Sequence, residues 1–204
     1  MKTIAAVILA GGKSSRMGKP KELLPWRGGT MISELVKEVA ALQMPCLIVS
    51  NQPERLRELE WPGAVSVTSD LVASAGPVSG LVTAFRARSE DVLLVLSCDL
   101  PFLDRTHLNT LLAYADTVSD WDVVAVRQGE RLHPLLALYH RRSQQVWEDA
   151  LRKGELRLMD GLASLRVVET PPDLLDEWAV FNANTPAEYE QALCEEKRRK
   201  TGER

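Results

Sequence analysis

The stretch TIAAVILAGGKSSRMGKPK, Thr3 to Lys21, decides how the chain is read. Its first half, Thr3 to Leu9, is short, partly β-branched and apolar at successive positions, as a strand buried on both faces of a parallel sheet should be. Its second half sets Gly11, Gly12 and Gly18 among the cations Lys13, Arg16, Lys19 and Lys21. Four cations so close together repel one another unless an anion neutralises them, and adjacent small residues let backbone N–H groups approach a phosphate. A flexible, cationic loop directly after the first strand therefore points to a phosphate-bearing ligand.

Spacing narrows which kind. A Walker A loop needs G-x-x-x-x-G-K-[ST]. Here five residues separate Gly12 from Gly18, and Lys19 is followed by Pro20, so the magnesium-binding hydroxyl is missing. The dinucleotide fingerprint G-x-G-x-x-G cannot be registered onto GGKSSRMG either. A loop that cradles a triphosphate for nucleotidyl transfer remains.

The 204 residues suffice for one α/β domain. With 45% hydrophobic and 26% charged residues the composition is that of a soluble globular protein. A net charge of −3 excludes a general nucleic-acid-binding surface, so the cationic site has to be local. The apolar runs are too short to span a bilayer, and MKTIAAVILAGG reads as a buried strand rather than a signal peptide. Cys46, Cys98 and Cys194 are odd in number and contain no C-x-x-C, which favours a reducing cytoplasm over a disulfide framework or structural zinc.

Further along, strand-like and helix-like segments alternate. Strands are expected at PCLIVS (Pro45 to Ser50), AVSVTS (Ala64 to Ser69) and VLLVLS (Val92 to Ser97), the last near the sheet centre. Helices are expected at Thr30 to Leu42, Gln52 to Leu59, after Gly80, and from Asp104 to Ala115. Thr30 with Ser33 makes a poor capping box on paper. Two strands flank Gly129, a helix follows at Gln144 to Gly154, a late strand spans Ser164 to Thr170, and the last helix starts at Thr185-Pro186. The alternation predicts a three-layer, doubly wound, mostly parallel Rossmann-like sheet with an added hairpin and an antiparallel edge strand. Residues 1–194 are expected to form one domain and 195–204 a frayed charged tail. In such sheets ligands sit beyond the carboxyl ends of the strands.

Several motifs fall at those ends. In VLLVLSCDLP the apolar strand runs into Asp99, and a carboxylate there is costly unless paired or metal-bound. Asp104 is the better cap for the next helix, which leaves Asp99 for a hard cation such as Mg²⁺. Cys98 reads as a small buried residue. Asp70 follows another strand and precedes Gly76-Pro77, which turn chemistry alone would explain. Asn51 ends the second long strand, either as a turn residue or as a ligand contact. GERLHPLLALYH carries Arg131, His133 and Pro134. Asn182 ends a strand-like segment, whereas Asn184 could simply support the Thr185 cap.

These motifs together resemble a known family. LAGGKSSRMGKPK is similar to the L-A-G-G-x-S-x-R-M-G-x-x-K signature of molybdenum cofactor guanylyltransferases, with Gly11, Gly12, Ser14, Arg16, Met17, Gly18 and Lys21 in place. C-D-L-P around Asp99, G-P-x-x-G from Gly76 to Gly80, H-P at His133 and N-x-N-T-P from Asn182 extend the resemblance from Thr3 to about Leu193. It implies a nucleotidyltransferase fold and transfer of GMP from GTP to molybdopterin, with Asp99 as the Mg²⁺ ligand and Arg16, Lys21 and Asp99 as catalytic residues. It implies nucleotide contacts at Leu9, Ala10, Gly11, Gly12, Ser14, Lys21, Asn51, Asp70, Gly76, Pro77, Gly80 and Asp99. His133, Asn182 and Asn184 fall on the acceptor side. Transient contact with other molybdenum cofactor biosynthesis proteins is also implied. A CTP-using or sugar- or polyol-phosphate transferase, and a non-catalytic nucleotide-binding protein, remain alternatives. The intact Arg16, Lys21 and Asp99 weigh against the last.

Overall fold

The computed structural model describes residues 2–11, 20–73 and 75–202. Seven strands form one sheet: β1 (Ile4–Ala10), β4 (Cys46–Ser50), β5 (Val65–Ser69), β6 (Val92–Ser97), β7 (Val123–Gln128), β8 (Arg131–His140) and β9 (Val167–Glu169). Their spatial order is β5-β4-β1-β6-β8-β7-β9. A separate two-stranded hairpin joins β2 (Pro25–Trp26) to β3 (Gly29–Thr30). The helices are α1 (Met31–Ala40), α2 (Glu54–Arg57), α3 (Pro77–Ala87), α4 (Arg105–Thr117), α5 (Gln144–Lys153), α6 (Leu158–Leu162) and α7 (Pro186–Thr201).

The period-2 alternation of the strands sorts the core into two faces. Ala6, Ile8 and Ala10 of β1, with Leu94 and Leu96 of β6, pack beneath α1 and α4. Ala5, Val7 and Leu9, with Leu93 and Val95, pack against α3, α5 and α6. Every one of these strand residues is buried, as the apolar runs require of a sheet covered on both sides.

After β1 the chain moves outward to β4 and then β5, and returns to the other side of β1 with β6. The strand order therefore reverses between β1 and β6, which opens a crevice beyond their carboxyl ends. The opening loop leaves from one of these two strands and Asp99 follows the other.

The fold is the expected mostly parallel, doubly wound sheet, with three differences in detail. The antiparallel strand is β8, and it lies inside the sheet between β6 and β7; the edge strand β9 pairs parallel to β7. The hairpin around Gly129 inserts β8 against β6, so the edge is left to β9. Thr30 and Ser33 do form a reciprocal capping box, because a serine hydroxyl accepts from the Thr30 N–H at 2.7 Å as a glutamate would. The charged end expected to fray is helical through Thr201: Glu195 is buried and accepts from Arg198 and Arg199 one turn later.

A third apolar cluster stands at the crevice end of the sheet. Phe102 packs edge-on to Trp26 and Trp178 with centroids 5.3 and 5.0 Å away, and the Arg199 guanidinium lies over its ring at 4.6 Å. Trp26 donates its indole N–H to the Pro101 carbonyl at 2.9 Å, and the Ala183 N–H donates to the Asp99 carbonyl at 3.0 Å. The aromatic cluster thus clamps the Asp99–Phe102 segment between the small hairpin and the start of α7. Phe102→Ala should lower the unfolding free energy by about 3–5 kcal/mol, as emptying a packed aromatic site does. Urea denaturation checks this, and a loss below about 1 kcal/mol would show that the clamp carries little.

Candidate active site

A cleft of about 1130 Å³ opens beyond the ends of β5, β4, β1, β6 and β8. Leu9, Ala10, Gly11, Lys21, Asn51, Asp70, Gly76, Pro77, Gly80, Asp99, His133, Asn182 and Asn184 all line it. Every expected site residue that falls within the described residues is therefore gathered in one place. Gly12, Ser14 and Arg16 lie outside the described residues.

Asp99 stands at the centre. It is 3% exposed and sits just past β6, held by the aromatic clamp on its C-terminal side. Lys21, at the start of a short 3₁₀ turn, donates from Nζ to Asp99 Oδ2 at 2.6 Å and to Asn184 Oδ1 at 3.1 Å. Asn182 donates from Nδ2 to Asp99 Oδ1 at 3.1 Å. Burial alone would raise the Asp99 pKa, but the Lys21 charge, its hydrogen bond and those from Ser97 and Asn182 hold it below the ordinary 3.8. Burial likewise opposes the Lys21 ammonium, and Asp99 overrides it, so Lys21 stands above 10.5. The centre is a half-buried lysine on a buried carboxylate, a pair charged throughout the neutral range.

The Asn184 side chain is turned into the site instead of supporting the cap. Thr185 caps α7 by accepting from the Glu188 N–H at 3.2 Å, and the Asn184 backbone N–H donates back to Glu188 Oε2 at 2.9 Å. Asp104 caps α4 through Oδ1, accepting from the Thr106 and His107 N–H groups at 2.8 and 3.0 Å, which leaves Asp99 without that task. Cys98 is a buried free thiol raised far above its ordinary value by desolvation.

The β1, β4 and β5 side of the cleft combines glycines with polar side chains. A Cβ on Gly11 would come within 3.0 Å of Asn51 Nδ2, so glycine there lets β1 and the Asn51 amide close on one another. Gly76 holds φ +78°, a conformation glycine adopts without strain, and Pro77 then starts α3 at the rim of the cleft. Asp70 is an anchor as well as a lining residue. Its Oδ1 accepts from the Ser79 and Thr83 hydroxyls of α3, while Thr83 Oγ1 and Ser79 Oγ accept from the Leu71 and Val72 N–H groups. This fixes the 70–72 turn to the first turns of α3.

The β8 side differs. It presents Arg131, Leu132, His133 and Leu135. His133 is 8% exposed, and burial and then the nearby Arg131 charge lower its pKa, so it is neutral at pH 7. Sequence reasoning passed over Arg55 and Glu22, both of which line the cleft. Arg55 was legible only as a surface helix residue until β4 and β1 were seen as neighbours.

The observations define a class first: a doubly wound α/β protein with a cleft at its topological switch point and a half-buried lysine paired with a buried aspartate at the centre. The particular family follows from comparison. The pattern of the MobA-like NTP transferase domain matches residues 6–167, and the chain belongs to this family. A Carboxydothermus hydrogenoformans protein named a probable molybdenum cofactor guanylyltransferase is 31% identical over 198 residues, covering 95% of this chain and 96% of the relative. A Bacillus subtilis protein of the same name is 34% identical over 167 residues, 79% of each chain. The crystal structure of molybdopterin-guanine dinucleotide biosynthesis protein A from Archaeoglobus fulgidus superimposes with a TM-score of 0.80 at 24% identity, covering 94% of this chain and 99% of that one.

The central pair gives a pH-dependent prediction for the metal-free protein. Lys21→Met should cost about 3 kcal/mol of stability at pH 7 by leaving Asp99 buried and unpaired. Asp99 is depressed, so its share of stability is full above 3.8 and is lost as pH falls through its folded value. Lys21 is raised, so its share is full below 10.5 and is lost as pH rises through its folded value. Urea midpoints of the two proteins across pH should therefore converge at both extremes; a gap independent of pH would contradict the pairing.

Proposed function

We propose that the protein transfers GMP from GTP to the terminal phosphate of molybdopterin, releasing pyrophosphate and forming molybdopterin guanine dinucleotide. The observation that carries this reading is the convergence of Lys21, Asp99 and Asn184 at the switch point of the sheet. The guanylyltransferase name of relatives that span most of the chain supports GTP and molybdopterin as the substrates.

The acceptor phosphate attacks the α-phosphorus of GTP and pyrophosphate leaves in line. A phosphate is already ionised at pH 7, so no residue has to remove a proton from it. Catalysis then consists of positioning and charge stabilisation. Gly11 and Gly12 present backbone N–H groups to the triphosphate, flanked by Leu9, Ala10 and Ser14. Asn51, Asp70 and the Gly76, Pro77 and Gly80 turn hold the nucleoside. Lys21 and Arg16 neutralise charge on the transferred group and on pyrophosphate.

The donor set suits Mg²⁺. Asp99 Oδ2 and Asn184 Oδ1 are hard oxygens that already converge on one cationic group, the Lys21 ammonium. Among the described residues no cluster of three acidic, histidine or cysteine ligands exists. That agrees with an ion that keeps waters and takes substrate phosphates for the rest of its shell. Asp99 and Asn184 would hold it, and when bound it would neutralise phosphate charge. Among the described residues no helix is long and apolar enough to cross a membrane.

Pyrophosphate release from GTP and molybdopterin tests the reading. Asp99→Ala should abolish Mg²⁺-dependent turnover, and retained activity would remove Asp99 from the mechanism. Lys21→Ala should lower kcat by about 10²–10³, the scale of losing one fixed electrostatic donor. In a thermal-shift panel GTP should stabilise the protein more than CTP or ATP; a larger CTP shift would replace the guanylyl reading with a cytidylyl one.

A further inference from the structure

We propose that Arg131, on the β8 side of the Lys21–Asp99 pair, anchors the phosphate of the acceptor phosphomonoester. This rests on the transferase reading above and assigns a binding residue within it.

The two sides of the cleft are unlike. Gly11, Asn51, Gly76 and Asp70 follow β1, β4 and β5, all on one side of Asp99, and there backbone and small polar groups offer close approach to a triphosphate. The opposite wall comes from β8, which pairs antiparallel with β6. If the nucleotide takes the first side, the acceptor takes the second.

Holding a dianionic acceptor against a triphosphate requires a cation on the acceptor side. Among the described residues three cations line the cleft: Lys21, Arg55 and Arg131. Lys21 sits at the centre on Asp99, and Arg55 belongs to α2, directly after β4 on the nucleotide side. His133 lines the β8 wall but is held neutral. Arg131 alone of these is a cation on that wall. It is exposed and forms no ion pair among the described residues, so its planar fork is available for a bidentate contact with phosphate.

The strand is shaped for this. Between the pairs Ala125↔Ala137 and Val126↔His133, residues 134–136 of β8 have no partners on β7. The irregularity coincides with the end of the β6 ladder at Leu96↔Leu136. Such a bulge bends a strand and re-aims its side chains. It brings Arg131 to His133 past the end of β6, beside the segment that carries Asp99. Half-buried Leu132 and Leu135 line the same wall and can pack against the face of the acceptor's ring system.

Arg131→Gln and Arg131→Lys test this, and because the residue is exposed their melting temperatures should match the wild type. With GTP and molybdopterin, the glutamine variant should raise the acceptor KM about 10- to 100-fold, as losing a charged hydrogen-bond pair does, while the GTP KM and kcat stay within about twofold. Lysine should recover part of the loss. Arg55→Gln should act on the GTP KM instead. An acceptor KM unchanged in Arg131→Gln, or a GTP KM that rises as much, overturns the assignment. Calorimetric titration of inorganic phosphate into protein loaded with a non-hydrolysable GTP analogue gives a second readout: Arg131→Gln should lose the binding, and equal binding overturns the assignment. If the wild type releases no pyrophosphate, the transferase reading falls, while the phosphate titration still decides Arg131.

Discussion

The ion pair between Lys21 and Asp99 is the interaction on which the rest of the site depends. A carboxylate at the end of the most apolar strand would be costly to bury alone. Here it is offset by an ammonium from the opening loop at 2.6 Å and by the Asn182 amide. The pair ties the loop after β1 to the loop after β6, and these are the two strands between which the sheet reverses its order. Asn184 draws the start of α7 to the same point. Three segments distant in sequence thus meet at one charge, and the cleft forms around it.

Around that point the molecule divides its work. Apolar clamping on one side, by Trp26, Phe102 and Trp178, fixes the backbone of the Asp99 segment so that its carboxylate does not have to find its position when ligand arrives. Hydroxyl and backbone hydrogen bonds on the other side, through Asp70, Ser79 and Thr83, fix the turn before α3. Preorganised charge in a partly dry site is worth more than the same charge in water, which is the physical basis for catalysis by positioning.

Much of this was legible in the sequence, for identifiable reasons. The both-face apolar runs at Ile4 to Leu9 and Val92 to Leu96 announce central parallel strands, and the loop spacing excluded two better-known phosphate motifs. The contact of Lys21 with Asp99 was not legible, because it spans 78 residues and depends on the strand order rather than on local pattern. The interior position of β8 was hidden likewise: a hairpin around Gly129 says that two strands pair, but not which of them meets β6. Ser33 was undervalued as a capping partner because its short side chain reaches only when the Thr30 backbone is already extended. Asn184 beside a cap read as a helper of Thr185, and only the fold shows its side chain turned toward Lys21.

In the proposed reaction the bond that breaks is at the α-phosphorus of GTP, beside Asp99. Incubation with molybdopterin and GTP carrying ³²P at the α-phosphate tests it most directly. The label should move into the dinucleotide product while the released pyrophosphate is unlabelled. Label remaining in GDP, with inorganic phosphate released instead, would contradict it.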